Sequence, residues 1–348
     1  MESAYPITEM LPAIRSIHEQ IRDALVAATE RSATEDLTLV VEDGEGDTIY
    51  AIDRISEDLL IDLFESKIAI HTPIVLIAEG LEHGQITLPR GAKPEDAKWR
   101  IIADPIDGTR CLMYQKRSGW ILTGVAPNLG EATSLADIQL AVQTEIPLAK
   151  QHISDSLWAL RGHGSVGERY NRITGERIPL TLRPSNATGI ADGFCSITRF
   201  FSGGRDILAA IDDEIAIKAI GSDRKPGKAY CFEDQYLSTG GQLYELMMGH
   251  DRFLADLRPL LNPVLVVRQQ TPGLCCHPYD LCTELIAREG GIEITDGCGN
   301  PLNAPLNLEA DLSWAGFANT RIRNLIEPIL NEAMQSRGLL GKISSDGN

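Results

Sequence analysis

The chain has 348 residues, 43% of them apolar and 23% charged, a globular composition sized for one large or two medium domains that excludes disordered, coiled-coil and low-complexity classes. Its 32 basic and 49 acidic side chains leave a net charge of −17, which opposes a nucleic-acid polymer or an anionic membrane as partner. No apolar run reaches the ~20 residues of a bilayer span, Met1 to Glu9 lacks a signal-peptide pattern, and 7 scattered cysteines make no disulfide framework; a cytoplasmic protein with reduced thiols is expected. In chain order, Leu11, Ile14, Ile17, Ile21 and Leu25 predict a helix over about Met10 to Ala28. Ile52, Ile55, Leu59, Leu63 and Phe64 predict a second over Asp53 to Lys67, with Glu57, Asp58 and Asp62 on its surface. Strands are expected at Ile74 to Ala78, Arg100 to Ala103, Trp120 to Ala126 and Ile138 to Ile146.

A polar, Gly-rich stretch from Gly162 to Pro184 sets the expected domain boundary, giving 1–184 as an α+β domain and 185–348 as an α/β domain. The second half offers helices near Asp206 to Ala219, Gly241 to Met248, Tyr279 to Arg288 and Asn319 to Met334. Strands are expected near Val264 to Val267, Gly291 to Thr295 and Leu312 to Phe317. Gly162, Gly164 and Gly167 match a dinucleotide-binding spacing after the strand-like run Leu157 to Leu160. No helix opens at the third glycine, because Glu168 to Arg177 is polar and turn-like, so a hairpin loop is expected.

The chemistry concentrates at the end of the strand Arg100 to Ala103, which delivers Asp104-Pro105-Ile106-Asp107-Gly108-Thr109. Pro105 fixes φ and Gly108 permits a tight path, so Asp104 and Asp107 can converge on one side of the turn and share cations. Hard oxygen donors favour magnesium or manganese over zinc. Taken alone, such a turn is more often a capped loop than a metal site.

Four separated segments together resemble the inositol monophosphatase superfamily, the magnesium-dependent, often lithium-sensitive phosphatases that include fructose-1,6-bisphosphatase. They are Asp47 to Asp53, Ala78-Glu79-Gly80, Asp104 to Thr109 and Tyr279-Asp280. The resemblance implies a layered αβαβα sandwich, two or three magnesium ions with manganese as a substitute, a homodimer, and hydrolysis of a small phosphorylated metabolite by an activated water. It implies Glu79, Asp104, Asp107, Asp280 and the Ile106 carbonyl as metal ligands. Asp53 would hydrogen-bond Thr109 and, with Glu79, orient the water, so that Asp53, Glu79 and Thr109 are the catalytic set. Gly108 and Thr109 would open a short helix whose free N–H groups suit a phosphate. Pro278 would place Asp280 in the first turn of a helix.

The chain departs from the family where Gly80 stands in place of a second Glu and Tyr50 in place of Thr, and where Thr271 to His277 carries no carboxylate to hold an inositol ring. Inositol 1-phosphate is therefore not expected as the preferred substrate. A sugar, inositol or nucleotide monophosphate is the leading class, and fructose 1,6-bisphosphate or a 3',5'-bisphosphonucleotide the alternative. A non-catalytic metal-dependent binding protein is the alternative of another kind. Lys218, Arg224, Lys225 and Lys228 form a basic stretch that could reach a second anionic group or simply be a solvated loop, and Cys275, Cys276, His277 and Cys282 lack the paired spacing of a zinc site.

Overall fold

The computed structural model describes residues 5–31, 40–43, 48–221 and 227–340. Asp47, Arg224 and Lys225 lie outside the described residues. Helix α1 (Ile7–Arg31) buries Met10, Ile14, Ile17, Ile21 and Leu25 along one stripe, as the spacing requires. A short hairpin of β1 (Val40–Asp43) and β2 (Thr48–Tyr50) leads into α2 (Ala51–Phe64).

The large sheet runs from β3 to β10: β3 (Ile74–Ala78), β4 (Gln85–Leu88), β5 (Trp99–Asp107), β6 (Gly119–Pro127), β7 (Leu140–Ile146), β8 (Ile153–Leu160), β9 (Ser165–Asn171) and β10 (Arg177–Leu180). Its order is β10-β9-β8-β7-β6-β5-β3-β4, antiparallel at every pairing except β3 with β5. A short helix α3 (Thr109–Met113) opens directly after β5. The second sheet, in order β12-β11-β13-β15-β14, is formed by β11 (Gly193–Ile197), β12 (Cys231–Phe232), β13 (Asp251–Asp256), β14 (Glu293–Thr295) and β15 (Trp314–Phe317). This half also contains the helices α4 (Arg205–Ile220), α5 (Thr239–Met247), α6 (Asn262–Val267), α7 (Glu284–Glu289) and α8 (Thr320–Ser336).

Three apolar cores separate five layers. Leu76, Ile101 and Val142 of the large sheet pack with α1 and α2. Ile77, Ile102 and Leu122 on the opposite face pack with Leu243 and Leu246 of α5 and Leu285 of α7, and Leu254 and Trp314 of the small sheet close the same core. The far face of the small sheet, with Ile197, Phe253 and Phe317, packs on α4 and α8. The result is the expected αβαβα sandwich. With both faces of the central strands covered, Ile74 to Ala78 is apolar at every position instead of alternating.

Several elements differ from expectation. Val264 to Val267 is helix, not strand: Pro263 stands in its first turn, and Val266 and Val267 are 68% and 82% exposed, so the apolar run never enters a sheet. β5 continues through Asp104 to Asp107 and does not end at Ala103. Residues 165–171 form a strand, not a turn, whose polar side chains suit the outer part of the sheet; the bend at Gly162 to Gly164 is a hairpin, its amides bound by Glu289 at 2.7 and 2.8 Å. Glu57 is buried at 7% exposure and does not lie on the helix surface.

The core under α1 contains a titratable group. His18 is fully buried between Thr144 Oγ1 at 3.1 Å and Thr123 Oγ1 at 2.8 Å, hydroxyls that satisfy a neutral imidazole. Burial lowers its pKa to about 3. The unfolded chain therefore binds a proton below about pH 6.5 that the folded chain refuses, and stability falls with pH from there towards 3 by about 1.4 kcal/mol per unit. His18→Gln removes that contribution. In urea unfolding, the stability gap between wild type and variant is expected to narrow by about 2 kcal/mol from pH 7 to pH 5; a gap independent of pH contradicts the neutral buried imidazole.

Candidate metal centre

Asp104 and Asp107 are three positions apart on one strand, and in regular β-structure that odd spacing turns them to opposite faces. The β5–β6 ladder breaks between them: Asp104 pairs with Leu122 and Asp107 with Trp120, so three steps on β5 match two on β6. This irregularity, with Pro105 inside it, brings the two carboxylates together. Gly108 then adopts φ +88°, where an added Cβ would stand 3.0 Å from Ser238 Cβ and 3.1 Å from the Leu237 carbonyl, so the turn into α3 requires glycine.

Glu79 follows the end of β3, whose Ala78 pairs with Ala103, and so lies alongside Asp104. Asp280 arrives from the opposite half on a turn, with α7 beginning only at Glu284, so it is not in the first turn of a helix. The His277 amide donates to Asp280 Oδ2 at 2.6 Å and fixes that turn. One carboxylate oxygen from each of Asp104, Asp107 and Asp280 lies within 4.8 Å of the others. Glu79, Ile106, Gly108 and Thr109 line the same cavity.

The electrostatics fit a cation. Burial raises the pKa of Asp104 well above the usual range, and repulsion from Asp107, Glu79 and Asp280 adds to it. Asp280 is raised by burial and then by Asp107. Asp107 is pushed up only to about 6, because burial is opposed by donors from Ser238, Gly240 and Thr239. Carboxylates crowded in this way are relieved by a divalent ion, and an all-oxygen donor set suits magnesium or manganese. Cys275, Cys276, His277 and Cys282 make no comparable ligand group among the described residues.

Asp53, on the first turn of α2, accepts a hydrogen bond from Thr109 Oγ1 at 3.3 Å, and the same hydroxyl lies 2.8 Å from the Ile106 carbonyl. Gly80, where the resemblance leads one to expect a second Glu, has φ +81°; a Cβ there would fall 2.0 Å from Glu57 Oε1. The space beside Glu79 is thus filled by a carboxylate from α2, one turn after Asp53. In the sequence Glu57 stands with Asp58 and Asp62 among the charged positions of its helix, and helical position alone does not set it apart.

The cradle of Asp107 was also missed. Ser238 Oγ donates to Asp107 Oδ2 at 2.8 Å, the Thr239 and Gly240 amides donate at 3.2 and 2.6 Å, and Ser238 Oγ accepts from Gly241 N at 2.8 Å as the N-cap of α5. Its signal in the sequence is Ser-Thr-Gly-Gly ahead of Leu243, Leu246 and Met247 at helical spacing, an N-cap pattern. Ser238→Ala removes the cap and a donor to Asp107. A stability loss of about 1–2 kcal/mol and a weaker magnesium requirement curve are expected. Unchanged melting and magnesium titration would contradict the double role.

No family model and no curated protein matches the chain. Solved structures do. The extragenic suppressor protein SuhB of Bartonella henselae aligns with a TM-score of 0.62 at 16% identity, over 93% of this chain and 98% of that one. Leishmania major fructose-1,6-bisphosphatase in its holo form aligns at 0.66 and 14%, over 94% of each chain. The chain has the inositol monophosphatase and fructose-1,6-bisphosphatase fold. The Thermotoga maritima IMPase gives 0.60 at 17% identity, over 94% of this chain and 98% of that one. In this fold the carboxylates gather where the ends of β3 and β5 meet the turn before α7.

Proposed function

We propose that the protein is a magnesium-dependent phosphomonoesterase acting on a small phosphorylated metabolite. The observation that carries this reading is the convergence of Asp104, Asp107 and Asp280 in the cavity that Glu79 and Thr109 also line. Glu79, Asp104, Asp107, Asp280 and the Ile106 carbonyl would hold the ions, two or three in number, with manganese able to replace magnesium. Bound there, such ions neutralise the phosphoryl oxygens and lower the pKa of water.

The remaining work falls to the chain itself. Gly108 and Thr109 present the first amides of α3 towards the phosphoryl group. With its proton donated to Asp53, Thr109 Oγ1 keeps lone pairs that accept from the attacking water, and Glu79 orients that water from the other strand. The oxygen of water bonds to phosphorus as the ester P–O bond breaks, and the leaving alcohol takes up a proton. The products are the alcohol and inorganic phosphate.

The test is phosphate release from sugar phosphates, inositol phosphates and bisphosphonucleotides, with magnesium and with a chelator. Magnesium-dependent release from at least one is expected, and inositol 1-phosphate is not expected to be the best. No release from any would favour a metal-dependent binding protein. The proposal includes a homodimer, which sedimentation tests, and a cytoplasmic location, which fractionation tests. The proposal keeps the division near Pro184 drawn from the polar, Gly-rich stretch, which falls between the strand ending at Leu180 and the strand starting at Gly193. Among the described residues no helix is long and apolar enough to cross a membrane.

A further inference from the structure

Arg100 stands near the start of β5, facing Val75 of β3 and Ala126 of β6 in the ladder. Alternation along the strand sets its side chain on the face of Ile102, towards the core shared with α5 and α7. It is only 9% exposed. A guanidinium buried to this degree is ordinarily matched by a carboxylate. Here Nη2 donates to Gln85 Oε1 at 2.7 Å, while Nε is buried with no hydrogen-bond partner, and Arg100 makes no ion pair among the described residues. Burial pulls its pKa down, and the charge of Glu131 opposes this only in part. By contrast, the exposed ammonium of Lys218 has two carboxylates, Glu214 at 2.8 Å and Glu332 at 2.9 Å.

Arg100 lines a cavity of about 410 Å³. Pockets that enclose a whole small molecule run to about 300–1,000 Å³. Among the described residues this cavity shares no wall with the one over the carboxylates, and Asp104 lies four residues further along β5, ~13 Å away at strand spacing. Its walls divide by chemistry. Arg100 supplies a buried cation, Ile77, Leu306 and Leu308 an apolar lining, and Glu131 and Glu309 two exposed carboxylates. A dianion such as phosphate would meet both carboxylates in repulsion with one guanidinium to hold it. A molecule that suits all three regions carries one carboxylate, an apolar body and an ammonium.

We propose that this cavity binds a small zwitterion of the apolar amino-acid class, with its carboxylate on Arg100, its side chain against Ile77, Leu306 and Leu308, and its ammonium facing Glu131 and Glu309. The carboxylate gives the guanidinium the charge-assisted partner that the fold withholds, and a planar fork matched to a carboxylate selects for that group. The site lies outside the proposed catalytic set, so its occupation is independent of the phosphatase reading.

The experiment is isothermal titration calorimetry of the full chain with L-leucine, L-methionine, L-phenylalanine and inorganic phosphate. At least one amino acid is expected to bind saturably with Kd below about 1 mM. The tightest is then compared with two molecules of the same skeleton. The amine that lacks the carboxylate should bind at least tenfold more weakly, and the acid that lacks the ammonium at least threefold more weakly. Arg100→Met is expected to fold, because it removes a buried charge that has no counterion, and to raise Kd at least tenfold. Glu131→Gln with Glu309→Gln, both on exposed side chains, should weaken the amino acid at least threefold and leave the acid unchanged. No saturable binding of any of the three amino acids overturns the proposal. Tighter binding of phosphate than of any amino acid, or affinity for the amino acid unchanged in either variant, overturns it equally.

Discussion

Asp104→Asn is expected to abolish turnover and at the same time to raise the melting temperature of the metal-free protein. Asp104 is 3% exposed, and burial together with Asp107, Glu79 and Asp280 raises its pKa. Without a cation, the folded state must either carry these charges in mutual repulsion or bind protons to remove them, and both disfavour folding at neutral pH. The amide keeps the shape and an oxygen to accept from Ile106 N, which donates to Asp104 Oδ1 at 2.9 Å, while its NH₂ faces carboxylates that accept. In magnesium the order should reverse. The wild type gains the binding free energy of the ion, the variant loses most of it, and a lost ion costs several kcal/mol in the transition state. Scanning calorimetry with chelator and with magnesium, beside a turnover assay, reads both effects. Retention of more than about a tenth of the wild-type kcat would sink the ligand role. A metal-free melting temperature at or below that of the wild type would contradict the electrostatic account.

The sequence revealed this site unevenly, for reasons that follow from which interactions are local. Pro105 and Gly108 mark a constrained path within six residues, and the periodicities of α1, α2, α4 and α8 lie within single helices. Which side of β5 the two aspartates face is a property of its register with β6, and no run of residues on β5 contains it. The same limit hid the cradle, since Ser238 and Gly240 meet Asp107 across more than 130 positions of chain. Glu57 is expected at the surface because a charged residue on an amphipathic helix ordinarily faces water, and only the position of Gly80 shows what it packs against. The β-branched composition of Val264 to Val267 points to a strand, whereas Pro263 before it opens a helical turn. Lys218 shows that charge density along the chain does not locate a subsite: its partners Glu214 and Glu332 are brought to it by the packing of α4 on α8.

Thr109→Ala is expected to lower kcat by about a hundredfold, the scale of a positioned proton-handling group, while the magnesium concentration for half-maximal activity moves by less than about threefold. Thr109 contributes no charge to the cluster, and its hydroxyl bonds Ile106 O at 2.8 Å and Asp53 Oδ1 at 3.3 Å, so its removal leaves Asp104, Asp107 and Asp280 in place. What is lost is the oxygen that would hold the attacking water against the Asp53 side of the cavity. Thr109→Ser keeps the hydroxyl and is expected to retain most of the activity, separating the hydrogen bond from the packing of the methyl group. The decisive measurement is a magnesium titration of kcat for the three proteins. A Thr109→Ala enzyme that recovers wild-type turnover at high magnesium would show that the hydroxyl acts on ion affinity and not on the water, and would remove Thr109 from the catalytic set.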